Sequence, residues 1–210
     1  MKIKDPISGI SHLIGAILAI VGIVFLLINS KNLTETISFL IFGLTVLIVY
    51  SASTIYHLFE KNTEEIGLLR KIDHASIYLL IAGTFAPFCL ILVKGILGWS
   101  VFISVWVIAI IGASISFIKS VWKLPRWILT SFYIFMGLIG LTLLYPLKEN
   151  TEIITWLLIG GGFYLIGAII YIIKKPNISK IFGFHELFHL FILGGTASHF
   201  FCVYRFIALG

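Results

Sequence analysis

The chain has 210 residues, 60% hydrophobic and only 11% charged, with a mean hydropathy of +1.10 and a formal net charge of +6. A soluble domain carries about 25% charged residues, so this chain could not cover a water-facing surface, and the solvent around most of it must be lipid. The basic balance follows membrane topology, as the loops below show, and excludes nucleic acid as a partner.

A spanning helix needs about 20 apolar residues. In chain order such spans are predicted at 9–29, 36–58, 73–93, 96–118, 127–147, 153–173 and 184–208. The runs are continuous rather than alternating with period two, which selects helices over barrel strands. Together they nearly exhaust the chain, so the expected architecture is an all-α membrane protein, one seven-helix transmembrane bundle over 1–210. The first span follows Lys2 and Lys4 as a secretory leader would. Its apolar run is longer than a leader core and lacks a clear cleavage site, so a retained helix is expected.

Local features carry structural expectations. Pro87 should kink the third span. Gly160, Gly161 and Gly162, and the Gly194-Gly195 pair, should permit close helix approach. Trp99, Trp122 and Trp127 fall near span ends, as interfacial anchors do. Asn32-Leu33-Thr34 spells a glycosylation sequon but lies too near the membrane to carry weight. Cys89 and Cys202 lie in apolar runs and read as small buried hydrophobes.

Loop charges set the expected orientation. Lys2 and Lys4, then Lys61, Arg70 and Lys71, then Lys119, Lys123 and Arg126, then Lys174, Lys175 and Lys180 fall on one side. Lys31, Lys94, Lys148 and Arg205 fall on the other, a distribution of 11 against 4. Positive charge is retained on the cytoplasmic side. The N-terminus is therefore expected in the cytoplasm and the C-terminus outside, in the cytoplasmic membrane.

All six histidines, His12, His57, His74, His185, His189 and His199, lie within or at the edge of spans. Ionisable groups in a membrane cost a few kcal/mol each and mark function by default. With the expected orientation, Ser53 and His57, Asp73 and His74, His185 and His189, and His12 reach the same leaflet from four helices. His199 is the exception, about 15 Å deeper than His189 at 1.5 Å per residue. His185 and His189 are spaced i, i+4, which places both imidazoles on one helix face, a common arrangement for two ligands of one zinc ion. A third imidazole and a water would complete an open, catalytic-type site, with a carboxylate such as Asp73 as base. His185-Glu186-Leu187-Phe188-His189 also matches H-E-x-x-H, the zinc-protease string with glutamate as general base. The metzincin extension fails, because Ile192 stands where glycine is needed and Gly195 where histidine is needed.

Ser53-x3-His57, Asp73, and Phe184-His185-Glu186-Leu187-Phe188-His189 are joined by an opening Asp5-Pro6 with His12 and by Gly83-Thr84-Phe85-Ala86-Pro87-Phe88. Over the whole chain this joint pattern resembles the hemolysin III branch of the progestin and adipoQ receptor family, within a wider group of membrane hydrolases that includes alkaline ceramidases. The resemblance implies zinc held by His57, His185 and His189 near the cytoplasmic face, Asp73 holding the metal's water, and Ser53 supporting the site. It also implies that Glu186 is the usual residue of bacterial members rather than a protease base. Receptor function toward a protein hormone is not expected to carry over, since little of the sequence lies outside the predicted spans. The expected function is zinc-dependent hydrolysis of lipid amide or ester bonds, with membrane lipids as substrate. A cytolytic pore-former and a sensor with structural zinc are the alternatives. His12, His74 and His199 receive no role.

Overall fold

A computed structural model describes residues 5–60, 67–179 and 181–210. Lys2, Lys4, Lys61 and Lys180 of the loop-charge count lie outside the described residues.

Among the described residues, seven helices are long and apolar enough to cross a membrane. They are α1 (Pro6–Ile28), α2 (Leu33–Phe59), α3 (Leu68–Pro87, continued by a π-helical turn at Phe88–Val93), α4 (Gly95–Ile115), α5 (Arg126–Leu138, continued by a 3₁₀ segment at Ile139–Leu143), α6 (Thr151–Ile173) and α7 (Phe184–Val203, continued by a π-helical turn at Tyr204–Ala208). No strand occurs among the described residues. The all-α seven-helix bundle expected from hydropathy is the fold observed.

Helix ends differ from the expected span ends for local reasons. Asn32 starts α2 by accepting the Glu35 N–H at 3.0 Å, so the residue that reads as a sequon is a helix cap. α3 begins at Leu68, ahead of the apolar run, because Arg70, Lys71 and Asp73 extend the helix without extending its hydrophobicity. α5 gives way to 3₁₀ geometry after Leu138, where Gly137 and Gly140 weaken the helix and Pro146 forbids its continuation. At Pro87 the missing N–H shifts the hydrogen-bond register, and the helix widens into the π turn rather than simply bending. That turn closes on the Lys94 N–H, which donates to the Cys89 carbonyl at 3.0 Å.

The helices close a ring in chain order, α1 packing on α2 and α7, α2 on α3, α3 on α4, and α6 on α7. α3 is the interior helix: its most apolar stretch is 67% buried, against 17% for α5 and 22% for α6. The outward faces carry Ile14, Ile17, Leu18 and Val21 on α1 and Ile103, Val107, Ile110 and Ile111 on α4, all exposed, as lipid requires. Phe39, Phe42, Tyr50, Phe88 and Met136 fill the centre and are fully buried. Cys89 and Cys202 are buried and free.

Glycines set the close approaches. A side chain at Gly83 would collide with Thr45 of α2, one at Gly160 with the His199 ring, and one at Gly195 with the Tyr164 ring. Gly161 and Gly162 face open space, so only Gly160 of that run serves helix contact. Gly83→Val should therefore destabilise the bundle by about 1–3 kcal/mol, the usual range for overpacking. The check is a lowered Tm in detergent, with Gly161→Ala as a control that leaves Tm unchanged or slightly raised.

Candidate metal centre

Two helix starts and one helix end converge on a single point. The last turns of α2 carry Ser53 and His57, and the second turn of α3 carries Asp73. The first two turns of α7 carry His185 and His189. His57 and His189 are 1% and 2% exposed, so these imidazoles sit inside the bundle rather than at its rim.

His185 and His189 share a helix face as their i, i+4 spacing predicts, and His57 of α2 meets them as the family resemblance implies. One ring nitrogen from each of His57, His185 and His189 lies within 4.8 Å of the other two. His185 Nε2 and His57 Nε2 are 3.4 Å apart, long for a nitrogen–nitrogen hydrogen bond. Tetrahedral zinc with Zn–N distances of about 2.0–2.1 Å holds its nitrogens about 3.3 Å apart. The donors therefore fit a small divalent cation, and the third imidazole needs only a modest closing movement. These three histidines could hold a metal ion.

The neighbouring groups sort themselves around this trio. Asp73 is buried, with its carboxyl within hydrogen-bonding reach of the Ser53 hydroxyl and facing His57. Ser53 and Asp73 thus lie beside the imidazoles, outside the set of three possible ligands. Glu186 does not: its Oε2 accepts the Gly183 N–H at 2.8 Å and its Oε1 faces the Ser8 hydroxyl at 3.4 Å. Its carboxylate holds the start of α7, which removes the physical basis for reading His185 to His189 as a protease motif.

Each remaining histidine has a definite place. His12 stacks on His189 with ring centroids 3.9 Å apart and tilts against Tyr50 at 4.9 Å. Tyr50 in turn donates to Thr196 Oγ1 at 2.7 Å. His74 packs edge-on to Trp122, and its carbonyl accepts the Tyr133 hydroxyl at 3.2 Å. His199 donates from Nε2 to the Leu157 carbonyl at 3.2 Å, well removed from the trio.

One residue at the site entered the sequence pattern without a role. Asp5 Oδ2 lies 3.3 Å from His57 Nδ1. The contact spans 52 residues, and an aspartate followed by proline reads as a helix start, so spacing alone could not reveal it. Beside Asp5 a cavity of about 380 Å³ runs past Asn177, Phe182, Glu186 and His185. It lies between the starts of α1 and α7, and His185 is the member of the trio that lines it.

The sequence profile of the haemolysin-III related family matches residues 1–200. The chain belongs to this family. Hemolysin-3 of Bacillus cereus is 37% identical over 213 residues, covering 98% of this chain and 93% of that protein. The hemolysin-3 homolog of Bacillus subtilis (strain 168) is 38% identical over 210 residues, covering 96% and 93%. The human monocyte to macrophage differentiation factor is 24% identical over 196 residues, covering 90% and 78%. The resemblance to the hemolysin III branch of the progestin and adipoQ receptor family therefore holds, and this haemolysin-III related chain is a multi-pass membrane protein.

Metal analysis tests the trio directly. Zinc in a His185→Ala/His189→Ala variant should fall to background, while Glu186→Gln should keep the wild-type metal content because its carboxylate serves the helix start. Equal metal in the double variant and the wild type would refute the assignment.

Proposed function

We propose that this protein is a zinc-dependent membrane hydrolase of lipid amide or ester bonds, acting in membrane-lipid homeostasis. The observation that carries this reading is the convergence of His57, His185 and His189 beside a buried carboxylate, inside a bundle of helices apolar enough to cross a membrane, where lipid would be the substrate at hand. Bound by three imidazoles, a zinc ion supplies Lewis acidity and makes water nucleophilic near neutral pH.

The chain's own residues would do the rest. Asp73 takes a proton from the attacking water as a carbonyl carbon is engaged, then returns it to the departing amine or alkoxide oxygen. Ser53 donates to the Asp73 carboxyl and keeps it aimed at the site. The three histidines act as neutral nitrogen donors on rigid helix turns, which fixes the reacting geometry. The polar cavity beside Asp5 and His185 admits water, and the apolar helix faces admit acyl chains.

We place the site near the cytoplasmic face of the cytoplasmic membrane because of the loop charges, 11 against 4. Cys89 and Cys202 are buried, so engineered cysteines can report topology. Lys148→Cys should react with an impermeant thiol reagent on intact cells and Lys123→Cys should not; the reverse pattern would invert the orientation.

A second reading is favoured by the names of the two Bacillus relatives, which describe hemolysins. Lysis by a pore would need a water-filled lumen, whereas Phe39, Phe42, Phe88 and Met136 fill this interior. Proteoliposomes separate the readings. Wild-type protein should release fatty acid from a ceramide or ester lipid without dye leakage. Asp73→Asn should lower that release by about 10²–10⁴-fold, the usual share of a general base. Leakage that survives His57→Ala would favour the pore, and bound zinc without lipid turnover would favour a structural or sensing role.

A further inference from the structure

Asp5 occupies the N-cap of α1, where an aspartate ordinarily accepts an N–H of the first turn and contributes about 1 kcal/mol. Here its side chain makes no capping hydrogen bond. Its carboxylate turns instead to His57, with Oδ2 3.3 Å from Nδ1, and its own N–H donates to the His57 carbonyl at 3.4 Å. The start of α1 is thus tied to the end of α2 at two points, both on one histidine. That histidine presents its other nitrogen, Nε2, to His185 at 3.4 Å.

From this geometry we infer that Asp5 is a positioning residue for the metal centre proposed above. Its carboxylate holds the proton of His57 on Nδ1 and leaves the Nε2 lone pair for the ion. The opposite tautomer would set a lone pair on Nδ1 against a carboxylate oxygen, an unfavourable contact that the Nδ1–H form converts into a charge-assisted hydrogen bond. Such a partner also fixes the ring plane and raises the basicity of the ligating nitrogen, and its loss typically weakens metal binding by about 10–100-fold. His185 and His189 receive their orientation from a shared helix, one turn apart. His57 stands alone on α2 and is the ligand that most needs an external clamp. At 34% exposure Asp5 also lines the polar cavity, so the clamp lies on the route by which an ion would arrive or leave.

This inference rests on the metal reading, and the test keeps the two apart. Full-length wild-type, Asp5→Ala, Asp5→Ser and Asp5→Glu proteins would be loaded with zinc, and its release to a chelator followed. Parallel Co²⁺ loading would record the visible absorption of the site. Asp5→Ala should release zinc about 10–100-fold faster and weaken or shift the Co²⁺ bands, with Asp5→Glu recovering most of both. Asp5→Ser preserves a good N-cap side chain but cannot reach His57, so it should behave like Asp5→Ala. If Asp5→Ser matches the wild type, the aspartate is a cap and the inference fails. If all variants release metal at the wild-type rate, the inference fails while the metal centre stands. If the wild type takes up neither ion, both fail together.

Discussion

Three imidazole nitrogens brought face to face, without a carboxylate among them, form the contact around which the molecule is arranged. Lone pairs that converge within 4.8 Å repel one another unless a proton or a cation lies between them. In lipid no bulk water can screen or satisfy them. The bundle nevertheless holds His57 and His189 almost fully buried, so the helices that carry them must be fixed by contacts stronger than that repulsion. A cation held at their centre would turn that repulsion into a cross-link between α2 and α7.

The glycine contacts supply that fixing. Helices in lipid gain nothing from hydrophobic exclusion and associate through close packing. Gly83 lets α3 sit against Thr45 of α2, which brings Asp73 beside Ser53 and His57. Gly160 and Gly195 let α6 and α7 close on His199 and Tyr164, and the Tyr164 and Tyr50 hydroxyls then meet at Thr196. Tyr50 supports His12, and His12 stacks on His189. A chain of packed rings and hydroxyls thus links the Tyr50–Thr196–Tyr164 contact to the histidine trio. The three histidines are packed against residues deeper in the bundle.

Much of this was legible in the amino-acid order, and the reasons differ by feature. Apolar runs of about 20 residues report helices directly because lipid permits so few alternatives. The His185 and His189 pair was legible because helix periodicity fixes their shared face, and Ser53 and His57 for the same reason. Their meeting across α2 and α7 required the joint pattern of several helices. Helix ends were harder to read: hydropathy reports how much of a helix is apolar, whereas α3 begins at Leu68, before its apolar run, with Arg70, Lys71 and Asp73 inside the helix. Gly161 and Gly162 were misread with Gly160 because periodicity does not say which of three adjacent residues faces a neighbour. His12 carried no readable role because its neighbours, Tyr50 and His189, come from two other helices.

The two carboxylates at helix starts show most sharply what order alone conceals. By motif, Glu186 reads as a protease base and Asp5 as a helix start; in the fold the exchange is that Glu186 holds a helix start and Asp5 faces His57. The exchange has local causes. Gly183 precedes α7 with no side chain to satisfy the helix start, so Glu186 reaches back to its N–H at 2.8 Å and is held there. Pro6 follows Asp5 and brings no N–H of its own to the first turn of α1, which lowers the demand for a cap. The Asp5 carboxylate turns toward the Nδ1 edge of His57, 3.3 Å away. A glycine in one place and a proline in the other thus decide which acid serves the backbone and which faces the imidazoles. The chemistry of this end of the bundle is therefore shaped by residues that carry no reactive group at all.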